Sequence, residues 1–208
     1  MTRLGWWGEH VVPRLVDAGL GSEEVGELRA RACAGLTGRL LEIGFGSGLN
    51  LAHYPDAVTS VSAVEPSDVA WRRAQRRLGD AGGRPVERAG LDGQHLDLPD
   101  GCVDSALSTF TLCTIPDLDA ALREVRRVLR PGGRLHFAEH GLAPDPGVVG
   151  WQRRLGPLQG ALFAGCHLDR PIADRVSAAG FALGEVDRFY GPGPRPFSYL
   201  YLGWATAG

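Results

Sequence analysis

Apolar residues along the chain fall into two alternating periods. Short runs rich in Val, Leu and Ile, bounded by glycine and polar residues, predict strands at 39–43, 60–65, 84–89, 103–109 and 133–139. Helical stretches are expected between them at 48–53, 67–78 and 117–129. In the last, Leu118, Leu122, Val125 and Leu129 recur at helical spacing and form the buried stripe. Upstream, Trp6 to Ala34 reads as two helices broken near Gly19-Leu20-Gly21. Ser22 is placed to cap the second, with Glu23 and Glu24 in its first turn. Downstream the rhythm changes. Residues 144–170 hold Pro144, Pro146 and Pro157, with a helix between Val148 and Phe163, and a further helix follows at 171–179. Two last strands, 183–189 and 197–205, are joined by Gly191-Pro192-Gly193-Pro194-Arg195-Pro196, short enough for an antiparallel pair. Strands alternating with helices imply a parallel sheet covered on both faces.

One junction carries chemistry. Leu40 to Ile43 reads as a buried strand, and Gly44, Gly46 and Gly48 then end it. A run from Leu49 to His53 is able to start a helix. Strand, glycine turn and helix in that order bring backbone N–H groups to one point, where a small cofactor can touch the main chain. The dinucleotide spacing G-x-G-x-x-G is not met, because Leu49 stands at the third glycine position. Glu42, two residues before Gly44, opposes a pyrophosphate and suits a cationic ligand. Glu65, at the end of the next apolar run, offers two acceptor oxygens for a ribose diol.

Composition narrows the field. The 208 residues fit one domain, and a net charge of −2 gives no basic excess for nucleic acid. All 22 basic residues are Arg, which excludes a Schiff-base or Walker lysine. Arg72, Arg73, Arg76 and Arg77 read as a solvated helix face. Cys33, Cys102, Cys113 and Cys166 form no C-x-x-C pair, no His/Cys spacing resembles a zinc motif, and no metal is expected. Free thiols, no visible signal peptide and no apolar run of membrane-spanning length set the expectation of a cytoplasmic protein.

With Glu42-x-Gly44-x-Gly46-x-Gly48 and Glu65, the segments Leu91–Asp104 and Leu122–Gly133 resemble the class I S-adenosylmethionine-dependent methyltransferases. Cys113, Glu139-His140 and Phe163-Ala164-Gly165-Cys166 are similar to members of the small-molecule branch that methylate alkyl thiols. The resemblance implies an α/β fold: a Rossmann-like, seven-stranded, mostly parallel sheet with helices on both faces and an antiparallel last strand. It implies one domain over 1–208, with a helical cap at 1–36 and an acceptor-pocket insertion at 144–180.

The cofactor implied is S-adenosylmethionine, leaving as S-adenosylhomocysteine. Gly44 and Gly46 are expected to cradle its methionine part, Glu42 and Thr109 to sit at the amino acid end, Glu65 at the ribose, and Asp92 and the Gly93 N–H at the adenine, with Gly48 also cofactor-binding. His140 is the candidate catalytic base, and Trp7, His10, Cys113, Cys166 and His167 are candidates for the acceptor pocket. The acceptor is expected to be small and largely apolar, with a thiol as first choice. A quinone, phenol or secondary metabolite is the alternative, and a non-catalytic cofactor-binding module is the alternative of another class. A monomer or homodimer without nucleic acid or a membrane span is expected. A nicotinamide oxidoreductase is disfavoured by the absent third glycine and the lack of a Tyr/Lys pair.

Overall fold

A computed structural model describes residues 22–162 and 165–208. The first of the two N-terminal helices, with Trp7 and His10, lies outside the described residues, as does Phe163. Seven strands form one sheet: β1 (Gly38–Ile43), β2 (Val58–Val64), β3 (Val86–Gly90), β4 (Val103–Thr109), β5 (Leu129–His140), β6 (Phe181–Tyr190) and β7 (Tyr199–Ala207). Their order is β3-β2-β1-β4-β5-β7-β6. β7 runs antiparallel to both neighbours and the remaining pairs are parallel, as expected. The helices are α1 (Glu23–Cys33), α2 (Asp68–Gln75), α3 (Leu118–Val128), α4 (Pro146–Leu162), α5 (Ile172–Ala178) and the single turn α6 (Arg195–Ser198). No described helix is long and apolar enough to cross a membrane.

Strand order reverses between β1 and β4. Neighbouring connections there leave in opposite directions, so a crevice opens beyond the carboxyl ends of these two strands. Alternation along β1 feeds two cores. Leu41 and Ile43 pack with Leu122, Val125 and Phe137 on one face. Leu40 packs with Cys33, Val61, Leu107 and Ala138 on the other. The stripe of α3 is buried at Leu118, Ala121, Leu122, Val125 and Val128, and the Asp117 carboxylate caps it by accepting from the Ala120 N–H at 2.9 Å.

Three local expectations change. Ser22 stands at the N-cap of α1, but its side chain accepts no capping bond. The helix expected at 48–53 is only a 3₁₀ turn, Leu51–His53. Pro55 forces Tyr54 out of the helical region, to φ −67° and ψ 130°, and stops it. β5 begins earlier than expected: Leu129 pairs with Val103, Pro131-Gly132-Gly133 loops out, and pairing resumes at Arg134 with Ser105. Gly133 fits there because a Cβ would lie 2.9 Å from the Arg130 carbonyl oxygen.

Candidate active site beyond β1, β4 and β5

The glycine turn has three different reasons for its three glycines. All have positive φ, +73°, +59° and +79° at Gly44, Gly46 and Gly48, where a side chain strains the backbone. A Cβ on Gly44 would lie 1.9 Å from Thr111 Oγ1, and one on Gly48 would lie 2.7 Å from Leu51 Cδ1. At Gly46 the nearest atom to such a Cβ is the Gly44 oxygen, 3.9 Å away, so this residue borders open space. Gly44 and Phe45 N–H groups both donate to the Val64 carbonyl, which ties the turn to the end of β2.

Glu65 straps the turn to α2. Its Oε2 accepts from the Gly46 N–H and its Oε1 from the Ser67 N–H, each at 2.7 Å. Burial pushes its carboxyl above the usual range, while these two donors and Arg88 pull it back. Arg77, from the expected solvated run, instead reaches the Ser47 carbonyl at 2.8 Å.

Glu42 and Thr109 meet in a buried polar network. Glu42 Oε1 accepts from Asn50 Nδ2 at 2.8 Å, and Oε2 accepts from the Tyr54 hydroxyl. Arg29 Nη1 donates to Asn50 Oδ1 and to Thr109 Oγ1, both at 2.9 Å, and Asn50 Nδ2 donates to Thr109 Oγ1 at 2.9 Å. Burial pushes the Glu42 carboxyl up to about 7, against the pull of Tyr54, Asn50 and Arg29. Arg29, Asn50 and Tyr54 were not foreseen in the sequence. Asn50, two residues after Gly48, is the one with a local signal; a charged residue on α1 and a Tyr before Pro55 carry none.

Asp92 and Gly93 follow β3. Asp92 Oδ1 accepts from the Gln94 backbone N–H at 2.9 Å and from Gln94 Nε2 at 2.8 Å, which closes a tight Asx turn. A Cβ on Gly93 would come 3.0 Å from Ile43 Cγ2, so this loop lies against the end of β1.

A second group forms beyond β4 and β5. Phe110 is the non-glycine with positive φ among the described residues, at 55°. Its ring lies 5.1 Å from the His140 ring and 5.5 Å from the Arg29 guanidinium carbon. The fully buried Glu139 carboxylate then brackets the following loop. It accepts from Ser108 Oγ at 2.7 Å, from the Thr111 N–H at 3.0 Å and from the Cys113 N–H at 3.3 Å. Cys113 and Cys166 are both buried and form no disulfide; the Cys166 thiol donates to Cys113 Sγ at 3.6 Å. One donor atom each from Cys113, His140 and Cys166 lie within 4.8 Å of one another. Burial lowers the His140 imidazole to about 4, so it is uncharged at neutral pH. His167 is exposed; its backbone N–H, rather than its ring, joins the group by donating to the Cys113 carbonyl at 2.8 Å. Of the five acceptor-pocket candidates, Cys113 and Cys166 converge, His167 stands at their edge, and Trp7 and His10 are outside the described residues.

Residues 41–137 match a methyltransferase domain family. A human thiol S-methyltransferase is 32% identical over 165 residues, covering 76% of this chain and 67% of that protein. The chain belongs to the S-adenosylmethionine-dependent methyltransferases. A phosphatidylethanolamine N-methyltransferase from Cereibacter sphaeroides is 32% identical over 143 residues, 68% of each protein. In fold, the methyltransferase is similar to a Thermotoga maritima protein described as a possible histamine N-methyltransferase. The TM-score is 0.66 at 21% identity, over 96% of this chain and 99% of that one. S-adenosylmethionine is accordingly the cofactor of this methyltransferase.

Proposed function

We propose that this methyltransferase moves the sulfonium methyl of S-adenosylmethionine to a small, largely apolar acceptor whose reacting atom is a thiol sulfur. One observation carries the reading. The glycine turn and the Cys113–His140–Cys166 group, whose two cysteines are buried, lie beyond the ends of adjacent strands and are linked by the loop 110–113. Leu168 and Phe197 pack around the two cysteines and give this wall its apolar character. The 32% identity to a human thiol S-methyltransferase points the same way.

The cofactor fits the residues present. Open space over Gly46 admits a ligand against the backbone. Glu65 keeps free lone pairs beyond its two backbone donors for the ribose hydroxyls. Asp92 and the Gly93 N–H take the adenine, and Gly44, Gly48, Glu42 and Thr109 surround the methionine end. On the acceptor side, Cys113, Cys166 and His167 form the pocket wall with the 144–180 insertion. His140 accepts the acceptor's proton. Holding sulfur and methyl in line supplies roughly 7–11 kcal/mol of barrier lowering in well-oriented systems.

Release of S-adenosylhomocysteine with alkyl thiol and phenol acceptors, compared in one assay, tests the reading. Faster turnover of the thiol is expected; turnover of the phenol alone overturns the thiol assignment. Cofactor binding without turnover of either acceptor favours a non-catalytic module.

A further inference from the structure

Cys113, His140 and Cys166 come from three segments: the loop after β4, the last residue of β5, and the stretch between α4 and α5. Nothing in their linear spacing groups them. In space, three soft or borderline donor atoms lie within 4.8 Å of each other. A tetrahedral zinc ion holds sulfur at ~2.3 Å and imidazole nitrogen at ~2.0–2.1 Å, which sets two thiolate ligands about 3.8 Å apart. The observed sulfur separation is 3.6 Å. A pair of thiols filling a core needs no imidazole beside it, whereas a metal site needs this third donor.

We propose that Cys113, His140 and Cys166 form a three-ligand site for a zinc-like divalent cation, whose fourth position receives the sulfur of the acceptor thiol. The proposal rests on the thiol-methylating reading given above and deepens it. Three protein ligands with one open position is the arrangement of zinc sites that do chemistry, as four is of those that only hold structure. The backbone around the ligands is already fixed. Glu139 accepts from the Cys113 N–H, and the His167 N–H donates to the Cys113 carbonyl. Arg170, through its 2.6 Å bond to the Leu112 carbonyl, brings a positive charge to the same wall. Two thiolates balance the ion's charge, and Arg170 offsets the further negative charge of a bound acceptor.

The step balances. The acceptor's S–H bond breaks as its sulfur binds the ion, and the proton passes to solvent. The thiolate sulfur then forms a bond to the methyl carbon as the sulfonium C–S bond breaks, leaving a neutral thioether and neutral S-adenosylhomocysteine. With the ion bound, His140 is a ligand; without it, the imidazole is left to take the proton.

The full-length protein is loaded with zinc, desalted and measured for bound metal, and its affinity is set by competition with a chromophoric chelator. Stoichiometric zinc is expected, with affinity lowered at least roughly 100-fold in Cys113→Ser and in Cys166→Ser, beyond the effect of losing a supporting group. S-adenosylmethionine affinity, measured on the same variants, should stay within about 3-fold and shows that they are folded. Cobalt-loaded protein should gain thiolate-to-metal absorption when an alkyl thiol is added. Failure to retain metal, unchanged affinity in folded variants, or a cobalt spectrum that ignores the thiol overturns the proposal. Undiminished thiol turnover by chelator-treated, metal-free protein also overturns it while leaving the thiol assignment standing. Absence of thiol turnover from metal-free and metal-loaded protein alike removes the assignment itself.

Discussion

The two halves of the crevice are built by different means. On the β1–β3 side, main chain forms the turn: Gly44 and Phe45 N–H groups tie it to the Val64 carbonyl, and Glu65 is fixed by two main-chain N–H groups, with the buried Glu42–Asn50–Thr109 network behind it. On the β4–β5 side, side chains from distant segments converge, and Glu139, Arg170 and the His167 N–H hold the backbone of the loop that carries Cys113. A surface made of main chain tolerates few substitutions and reads a constant ligand. A surface made of side chains is free to vary with the acceptor. On the proposed assignment, the first half takes the cofactor and the second the acceptor.

The largest expected effect joins the two halves. Gly44→Ala drives a Cβ into Thr111 Oγ1 and should weaken S-adenosylmethionine binding more than about 100-fold by calorimetry, with circular dichroism confirming the fold. Adding Thr111→Gly removes the clash but leaves the positive-φ strain of roughly 1–3 kcal/mol, so it should restore part of the affinity. No restoration would separate the halves.

On the acceptor side alone, His140→Ala should lower thiol turnover on the order of 10²-fold with cofactor affinity nearly unchanged. Equal turnover in variant and parent removes His140 from the chemistry. The reverse pattern is expected for Glu65→Ala: cofactor binding about 10- to 100-fold weaker, the loss of about 1.5–3 kcal/mol of charged hydrogen bonding. Turnover at saturating cofactor should be largely kept. A fall in turnover that saturating cofactor does not rescue would mean that Glu65 also serves the acceptor half.

The smallest effect separates the buried acid from the buried bases by pH. Glu42 keeps its proton up to about 7 in the folded chain, against an ordinary value of 4.5. The folded state therefore binds more protons between these values, and Glu42 makes stability fall as pH rises through that window. His136 and His140 are each lowered from 6.5 to about 4 by burial, and they make stability fall as pH drops. Glu42→Gln removes the opposing member. Urea unfolding should then show a steeper loss between pH 7 and pH 5, by on the order of 1–3 kcal/mol. The same difference in variant and parent would place the Glu42 carboxyl back in the ordinary range.

The strands and the glycine turn were legible because their signals are local. A buried strand must end where alternating glycines begin, and each expected strand is present in the sheet. The misreading at 48–53 has a local cause as well, since Pro55 overrides the apolar start of a helix. The convergence of Cys113, His140 and Cys166 had no local signal. Cys113, His140 and Cys166 are each unremarkable in their own segment, and only the β4–β5 pairing and the path between α4 and α5 bring them together. Arg29 is the same case: an arginine on α1 looks solvated until the fold buries it against Asn50 and Thr109.

The loop 110–113 touches Gly44 through Thr111 at one end and carries the Cys113 sulfur at the other. On the proposed reading it is a spacer of fixed length between donor and recipient. Lengthening it by one glycine should leave both grips intact while misaligning the methyl with its target, so that two well-bound ligands sit side by side without exchanging anything.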